Sequence, residues 1–287
     1  MARVRIVTDS AARFSTPDFL HRYSVTVAPM TLRSGATTLT DDPYAELAAA
    51  QSLFEHSDEA PVAEPPSVAA FTEIYTQLQK DAGPIVSIHT SSLMAGTYEN
   101  ARQASQLFLG RSNIQVIDSQ AVSLGLGLLV RAAAEAAARE APVDEIVRIV
   151  RGMIPRLYTV FFLDDMAFLE RNHLVSRSQA ILGNMLGVIP FLTIEDGRIV
   201  AMEKVRSRTR ALEKLLEFVT EFSSIEHLAL LHSQSPLTEE TRQVVERLQG
   251  MHPGTPLSVL TYGPSLATFV GLNALGIVVL EAEEEGL

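Results

Sequence analysis

The stretch Ile85-Val86-Ser87-Ile88-His89-Thr90-Ser91-Ser92-Leu93-Met94-Ala95-Gly96-Thr97-Tyr98 sets the architecture. Residues 85–88 form a short β-branched run, residues 90–92 a polar turn, and residues 96–109 a helix. Similar units flank it. Residues 4–7 read as a strand stopped by Asp9-Ser10, and residues 25–28 as a strand ended by Pro29. Pro43 opens a helical stretch with Leu47, Ala48 and Leu53. Residues 57–67, rich in Pro and acid, read as an exposed loop, with Ser67 as N-cap of a helix over 68–80. Phe71, Ile74, Tyr75 and Leu78 keep helical spacing there. Residues 114–117 form a strand that reaches Asp118-Ser119 and an Ala-rich helix through Ala138. Strands alternating with helices predict a parallel sheet covered by helices on both faces.

The texture changes after residue 142. Strands are predicted over 158–163, 191–194 and 199–202, with Asp196-Gly197 as a hairpin turn between the last two. Helices over 209–220 and 237–248 alternate with strands over 228–232, 258–261 and 277–280. Residues 281–285 form an acidic tail, read as a solvated end. The boundary between the halves falls near residues 142–155, within or just after a helix over 143–153.

Composition narrows the function. The 287 residues carry 23 basic and 34 acidic side chains, a formal net charge of −11, and no Cys or Trp. Disulfides, thiolate catalysis and Cys-ligated metals are thereby excluded. The acidic surplus argues against a general nucleic-acid surface, which needs clustered Lys and Arg. Hydrophobic residues make up 47% and mean hydropathy is +0.16. That apolar surplus belongs in a core, an interface or a cavity. No stretch reaches the roughly 20 apolar residues of a membrane span; residues 121–130 are short, Gly-interrupted and end at Arg131. The first ten residues reach Asp9 without a long apolar segment, unlike a signal peptide. The expected location is the cytoplasm.

The polar turn is the first place for chemistry. In open α/β sheets ligands bind beyond the carboxyl ends of the strands. A helix N-terminus there suits an anion. Ser91 and Ser92 either cap the helix or serve such a ligand, and Asp9-Ser10 and Asp118-Ser119 end strands on the same sheet edge. Gly125 and Gly127 echo a dinucleotide loop but lack its third Gly, and read as close helix packing. Neither a P-loop nor a Gly-x-Ser-x-Gly elbow occurs, and the seven His are scattered. Asp164-Asp165 reads as a strand end or cap. Arg206-Ser207-Arg208-Thr209-Arg210 is the densest basic run. It reads as a solvated turn or as a ligand or partner contact.

Several segments recur in a specific order: Ile6-Val7-Thr8-Asp9-Ser10; Pro66-Ser67 before a helix with Phe71; Ser91-Ser92-x-x-Ala95-Gly96-Thr97-Tyr98; and Val116-Ile117-Asp118-Ser119. Leu163-Asp164-Asp165-Met166 with Phe168-Leu169 follows, then Val188-Ile189-Pro190 before Asp196-Gly197, and Arg206 with Arg208-Thr209. On this series the chain resembles the DegV family of bacterial fatty-acid-binding proteins, from about residue 4 to residue 280. The resemblance implies two α/β domains. Residues 1–153 would hold a three-layer parallel-sheet domain, and residues 154–287 a domain with a mixed or largely antiparallel sheet. It implies a long apolar tunnel with the carboxylate of a long-chain fatty acid near the domain junction. It also implies a carrier, not an enzyme, that uses no metal or cofactor and presents the acid to a fatty acid kinase.

The departures from the family pattern fall at the head group. Ala63 stands where the family has a Thr, Asn172-His173-Leu174 where it has Gly-Gly-Arg, and Phe269 where it has a His. Ser92, with Ser91 beside it, is the donor that remains, and Thr97 and Arg206 complete the candidate ligand-binding residues. Two further readings stay open. One is a regulatory or interaction module, or a binder of another apolar ligand. The other is a hydrolase or transferase using Ser92 with His89 or His173.

Overall fold

A computed structural model describes residues 3–55, 61–81, 83–163, 166–171 and 175–283. In chain order the first half holds β1 (Arg5–Asp9), α1 (Phe19–Tyr23), β2 (Thr26–Ala28), β3 (Thr31–Ser34), β4 (Thr37–Thr40), α2 (Leu47–Glu55), β5 (Val62–Glu64) and α3 (Val68–Leu78). It continues with β6 (Ile85–His89), α4 (Thr97–Gln106), β7 (Ile114–Asp118), α5 (Ser123–Ala138) and α6 (Val143–Met153). The second half holds β8 (Leu157–Phe162), α7 (Ala167–Arg171), α8 (Arg177–Met185), β9 (Ile189–Glu195), β10 (Arg198–Val205) and α9 (Arg208–Val219). It ends with β11 (Ile225–His232), α10 (Glu239–Met251), β12 (Leu257–Thr261), α11 (Pro264–Val270) and β13 (Leu275–Glu281).

The first sheet has the order β2-β1-β6-β7 and every pairing in it is parallel. Alternation along its strands sends two sets of side chains to opposite faces. Val7 and Ile85 join Phe71, Tyr75, Ala101 and Ala104 of α3 and α4 on one face. Ile6, Val86, Ile88 and Ile117 join α5 and α6 on the other. A parallel sheet covered on both faces is the expected arrangement. The helices start where the sequence signals them. Ser67 accepts a hydrogen bond from the Ala70 amide at 3.2 Å and caps α3. In α6, Val143, Ile146, Val150 and Met153 are buried on one stripe. Asp144 and Glu145 sit in its first turn and Arg151 in its last, as the helix dipole favours. Gly125 and Gly127 lie inside α5. A Cβ at Gly127 would stand 1.8 Å from the Arg13 carbonyl oxygen, so this glycine lets helix and loop touch.

The second sheet is mixed, with the order β10-β9-β8-β13-β11-β12. Its pairings are antiparallel except for β11 with β12. Asp196 and Gly197 both have positive φ, 47° and 79°, and make the tight turn from β9 to β10. The core on the α5 face of the first sheet continues into this half through Phe161, Leu163, Met166, Leu169, Leu192, Ile199 and Leu266. Among the described residues no helix is long and apolar enough to cross a membrane.

Part of the segment read as an exposed loop, residues 62–64, pairs instead with β3, and β3 pairs with β4, in a separate three-stranded antiparallel sheet. Asp58 and Glu59 of that loop, like Glu284 and Glu285 of the acidic tail, lie outside the described residues. Two helices of the second half have no clear sequence pattern. α11 is buried nearly all round and lacks an amphipathic stripe. α8 buries the small residues Ala180 and Gly183 and exposes Ile181, Leu182, Met185 and Leu186, which inverts the usual pattern.

Candidate functional site

In the order β2-β1-β6-β7 the chain steps from β1 to β2 on one side, while β6 lies on the other. The switch therefore lies between β1 and β6, and their carboxyl ends are Asp9 and His89. This is where open parallel sheets receive ligands.

The floor of the corner is a closed polar network. Asp9 Oδ1 accepts from the Thr90 hydroxyl at 2.8 Å and the Ala11 amide at 3.1 Å. Its Oδ2 accepts from the Thr90 amide at 2.8 Å and faces His89 Nδ1 at 3.2 Å. The Tyr75 hydroxyl donates to Ser87 Oγ at 2.9 Å, and Ser87 Oγ lies 2.7 Å from His89 Nε2. With Tyr75 as donor, the Ser87 hydroxyl donates to Nε2 and His89 holds its proton on Nδ1, toward Asp9. Burial raises the Tyr75 pKa, which keeps it the neutral donor. Phe71 packs on the imidazole edge-on, with centroids 4.9 Å apart. Asp9, Ser87 and His89 are each 0% exposed. The set has the order of a Ser-His-Asp relay but no exposed atom, so it holds the turn and is closed to substrate. Both His89 nitrogens are engaged within it, which removes His89 as a base for Ser92. His173, the other His of that reading, lies outside the described residues.

The turn above this floor has two committed edges and two uncommitted hydroxyls. The Ser91 hydroxyl is buried and donates to the Gly197 carbonyl at 2.7 Å, fixing the β9–β10 turn to the end of β6. A Cβ at Gly197 would stand 2.4 Å from that oxygen. Asp118 Oδ1 accepts from the Ser92 amide at 3.2 Å and the Gln120 amide at 3.0 Å, so the carboxylate of β7 shapes the turn. Ser92 itself is half-buried, and its hydroxyl has no hydrogen-bond partner among the described residues. Thr97 opens α4 and is 0% exposed, yet its hydroxyl has no partner among the described residues. Gly96, the N-cap of α4, offers no side-chain cap. Buried polar groups are nearly always paired by protein, water or ligand. The start of α4 thus presents two hydroxyls and open amides at the positive end of a helix.

Two of the positions that depart from the family pattern, Ala63 and Phe269, pack against one shared core. Ala63 lies on β5 and Phe269 on α11; both are half-buried and pack against the core that also receives Met94 and Ala95. Helix α11 packs against β5, α2 and α7. Beyond β5 the chain reaches α4: the Asn100 amide donates to the Pro66 carbonyl at 2.9 Å. Ser91, Ser92, Thr97 and the segment that begins at Ala63 are therefore neighbours. Arg206 is not among them. It is exposed just beyond the end of β10, the strand that starts at the turn held by Ser91. Next to it, Arg210 pairs with Glu213 and Glu217, and Arg208 with Glu240 at 2.6 Å. Asp164, Asp165, Asn172, His173 and Leu174 lie outside the described residues.

A second buried cluster has no sequence signal. Asp41 is 3% exposed, and its Oδ2 accepts from Ser10 at 3.2 Å and from Ser265 of α11. Its Oδ1 is buried without a partner among the described residues. Burial pushes the Asp41 pKa up to about 6, against the opposing hydrogen bonds of Ser265 and Ser10 and the charge of Arg13. Arg13 donates to the carbonyls of Ala45 at 2.8 Å and Thr261 at 3.4 Å, tying the halves together. The only local hint was Gly263-Pro264, which places Pro at the first turn of α11. No group of three or more His, Asp or Glu able to hold a metal occurs among the described residues.

Comparison with known proteins supplies a frame for this geometry. A family model described as DegV, a family of uncharacterised proteins, matches residues 3–282. A DegV domain-containing protein of Caldanaerobacter subterraneus is 31% identical over 219 residues, 76% of this chain and 77% of the relative. Among solved structures, the fatty acid binding DegV family protein of Streptococcus agalactiae superposes with TM-score 0.86 at 22% identity, covering 99% of this chain and all of the other. A DegV family protein of Eubacterium eligens loaded with heptadecanoic acid superposes with TM-score 0.81 at 18% identity, covering 97% and 100%.

Proposed function

The chain belongs to the DegV family, and from that premise we propose that it carries a long-chain fatty acid without acting on it chemically. The carboxylate sits at the start of α4 on the hydroxyls of Ser92 and Thr97. The acyl chain enters the apolar core shared by the halves, with Ala63 and Phe269 as apolar walls beside the head group. Ser91 acts indirectly, by holding the Gly197 turn in place. Arg206, exposed past the far end of β10, fits a contact with the protein that receives the acid better than a contact with the carboxylate.

One observation carries this reading: the Thr97 hydroxyl is buried and has no partner among the described residues, at a helix N-terminus that shares its turn with Ser92. Two hydroxyls and a helix end accept a carboxylate without a cation. Each such hydrogen bond to a charged group contributes about 1.5–3 kcal/mol. Burying about fourteen methylenes contributes roughly 11 kcal/mol before ordering costs. The tail therefore dominates affinity, and a head-group site with fewer donors still retains the ligand.

The carrier needs no cofactor, works in the cytoplasm and hands the acid to a fatty acid kinase. It is built as two domains, residues 1–153 and 154–287. The division is supported by the sheets: the first ends with β7 at Asp118 and the second begins with β8 at Leu157. The test is to extract the purified protein with organic solvent and identify the lipids by mass spectrometry. Free C14–C18 acids at near one per chain are expected, and an extract without acyl lipid sinks carriage. Ser92→Ala and Thr97→Val are each expected to weaken displacement of a fluorescent fatty acid about tenfold. Unchanged affinity in both removes the head group from this turn.

A further inference from the structure

The carboxyl ends of β11 and β12 form a second polar corner, away from the hydroxyls proposed to hold the head group. β11 and β12 are the one parallel pair in the second sheet, and α10 connects them. Here too the strand ends are where a ligand is received. A cleft of about 320 Å³ opens there, lined by Arg208, His232, Gln234 and Asn273, among others. A neighbouring cleft of about 470 Å³ shares Ser233, Gln234 and Asn273 and extends to Gln51 of α2. Neither cleft shares a lining residue with the Ser91–Thr97 turn. Their size matches the roughly 300–1,000 Å³ of small-molecule sites.

His232 gives this corner a reason to hold something. The residue is 7% exposed, it lines the cleft, and its Nδ1 is buried without a hydrogen-bond partner among the described residues. Burial lowers its pKa, which favours the neutral ring. The electrostatics of the corner are balanced. Arg208, the one cation among the described residues lining either cleft, pairs with Glu240 and lies over the Phe162 ring at 5.1 Å. Glu239 and Glu240 already occupy the first turn of α10, and the Thr238 and Thr241 hydroxyls bond each other at 2.8 Å. Among the described lining residues an incoming anion finds no cation but Arg208, which Glu240 already neutralises. The other polar groups on the walls are neutral: the Ser233 hydroxyl and the Gln234 and Asn273 amides.

We propose that this cleft binds an uncharged, hydroxyl-rich small molecule of polyol or monosaccharide size, with His232 Nδ1 at its floor and Gln234 and Asn273 on its walls. A hydroxyl both donates and accepts, so it satisfies Nδ1 in either tautomer of the neutral ring. The side-chain amides offer the same two-way pairing. Glu240 and Arg208, held against each other, add an acceptor face and a donor face without net charge.

The test uses the full chain with isotope-labelled His, Asn and Gln side chains. Glycerol, glucose, myo-inositol and inorganic phosphate are titrated separately and followed by NMR. The expected result is a saturable shift of the His232 ring and of the Gln234 and Asn273 amides with at least one polyol. Gln234→Ala and Asn273→Ala, both at exposed positions, should each weaken that polyol about five- to tenfold with the melting temperature unchanged. His232→Gln, checked for folding by circular dichroism, should weaken it further. No saturable shift with any of the three polyols, binding indifferent to these variants, or a preference for phosphate would each overturn the proposal. Fatty-acid content is measured on the same samples, so failure here is separable from failure of carriage.

Discussion

Asp9 and Asp41 are both buried carboxylates in the first half of the chain, and they are solvated by opposite means. Asp9 has two partners on each oxygen, all from residues 11–90. Asp41 carries both of its hydroxyl partners on one oxygen, has none on the other among the described residues, and draws Ser265 from 224 residues away. Parallel register brings β1 and β6 together at fixed offsets, so donors for Asp9 come with the sheet itself. Asp41 depends on the docking of α11, which brings one donor and no more. A carboxylate inside one sheet is thus saturated and rigid, and one at the joint between halves keeps a deficit.

The largest test removes the saturated group. Asp9→Ala strands two Thr90 donors, the Ala11 amide and the His89 Nδ1 proton in a dry site. A loss of about 3–5 kcal/mol in urea unfolding is expected, the range for breaking a buried charged network. A loss below 1 kcal/mol would erase the contrast.

Asp41 should respond with the opposite sign. Its folded pKa of about 6 lies above the ordinary value of 3.8, so the folded state binds the proton more tightly. Stability therefore falls as pH rises from about 4 to 6, stays low above that, and is fully restored below 4. Asp41→Asn has no charge to bury. It should be more stable than the parent by up to about 3 kcal/mol at pH 7–8, with the gain vanishing near pH 4. A gain that does not vary with pH would show that ionisation is not the source of the deficit.

A smaller effect probes another contact across the halves. Gly197→Ala places a Cβ against the Ser91 hydroxyl at a φ of 79°. A loss of about 1–3 kcal/mol is expected, along with weaker fatty-acid binding, since the Ser92 turn loses its anchor. If calorimetry shows stability lost but affinity kept, Ser91 holds the halves together without shaping the head-group site.

Periodicity made the first sheet legible. Short β-branched runs, each stopped by Asp-Ser or His-Thr-Ser, predicted β1, β6 and β7 within a residue or two, and Asp196-Gly197 predicted its hairpin. The small sheet of β3, β4 and β5 was missed because residues 62–64 lie between prolines and acids, a composition that signals loop. The helical stretch expected between the strands over 158–163 and 191–194 could not be given bounds, because the large apolar residues of α8 face solvent, and α11 was missed because a helix buried all round has no stripe. At the site, the turn of Ser91, Ser92 and Thr97 was visible as polar residues between strand and helix. Which hydroxyl stays uncommitted was not, because Ser91 is claimed by a carbonyl 106 residues later. Neither Asp41 nor His232 stands in a motif of its own. Their interest lies in missing partners, and only coordinates show what a side chain lacks.

The position of β13 governs when the second sheet can form. It is the last strand in chain order, yet it lies between β8 and β11, pairing with both. Before β13 is made, the β8-β9-β10 meander and the unit of β11, α10 and β12 are separate pieces, and β8 and β11 each keep open the edge that β13 pairs. Only when residues 275–281 leave the ribosome can that gap be filled. Long-range pairing of this kind is slow and exposes strand edges to other chains. A truncation at β13 would therefore remove a central strand and not a margin.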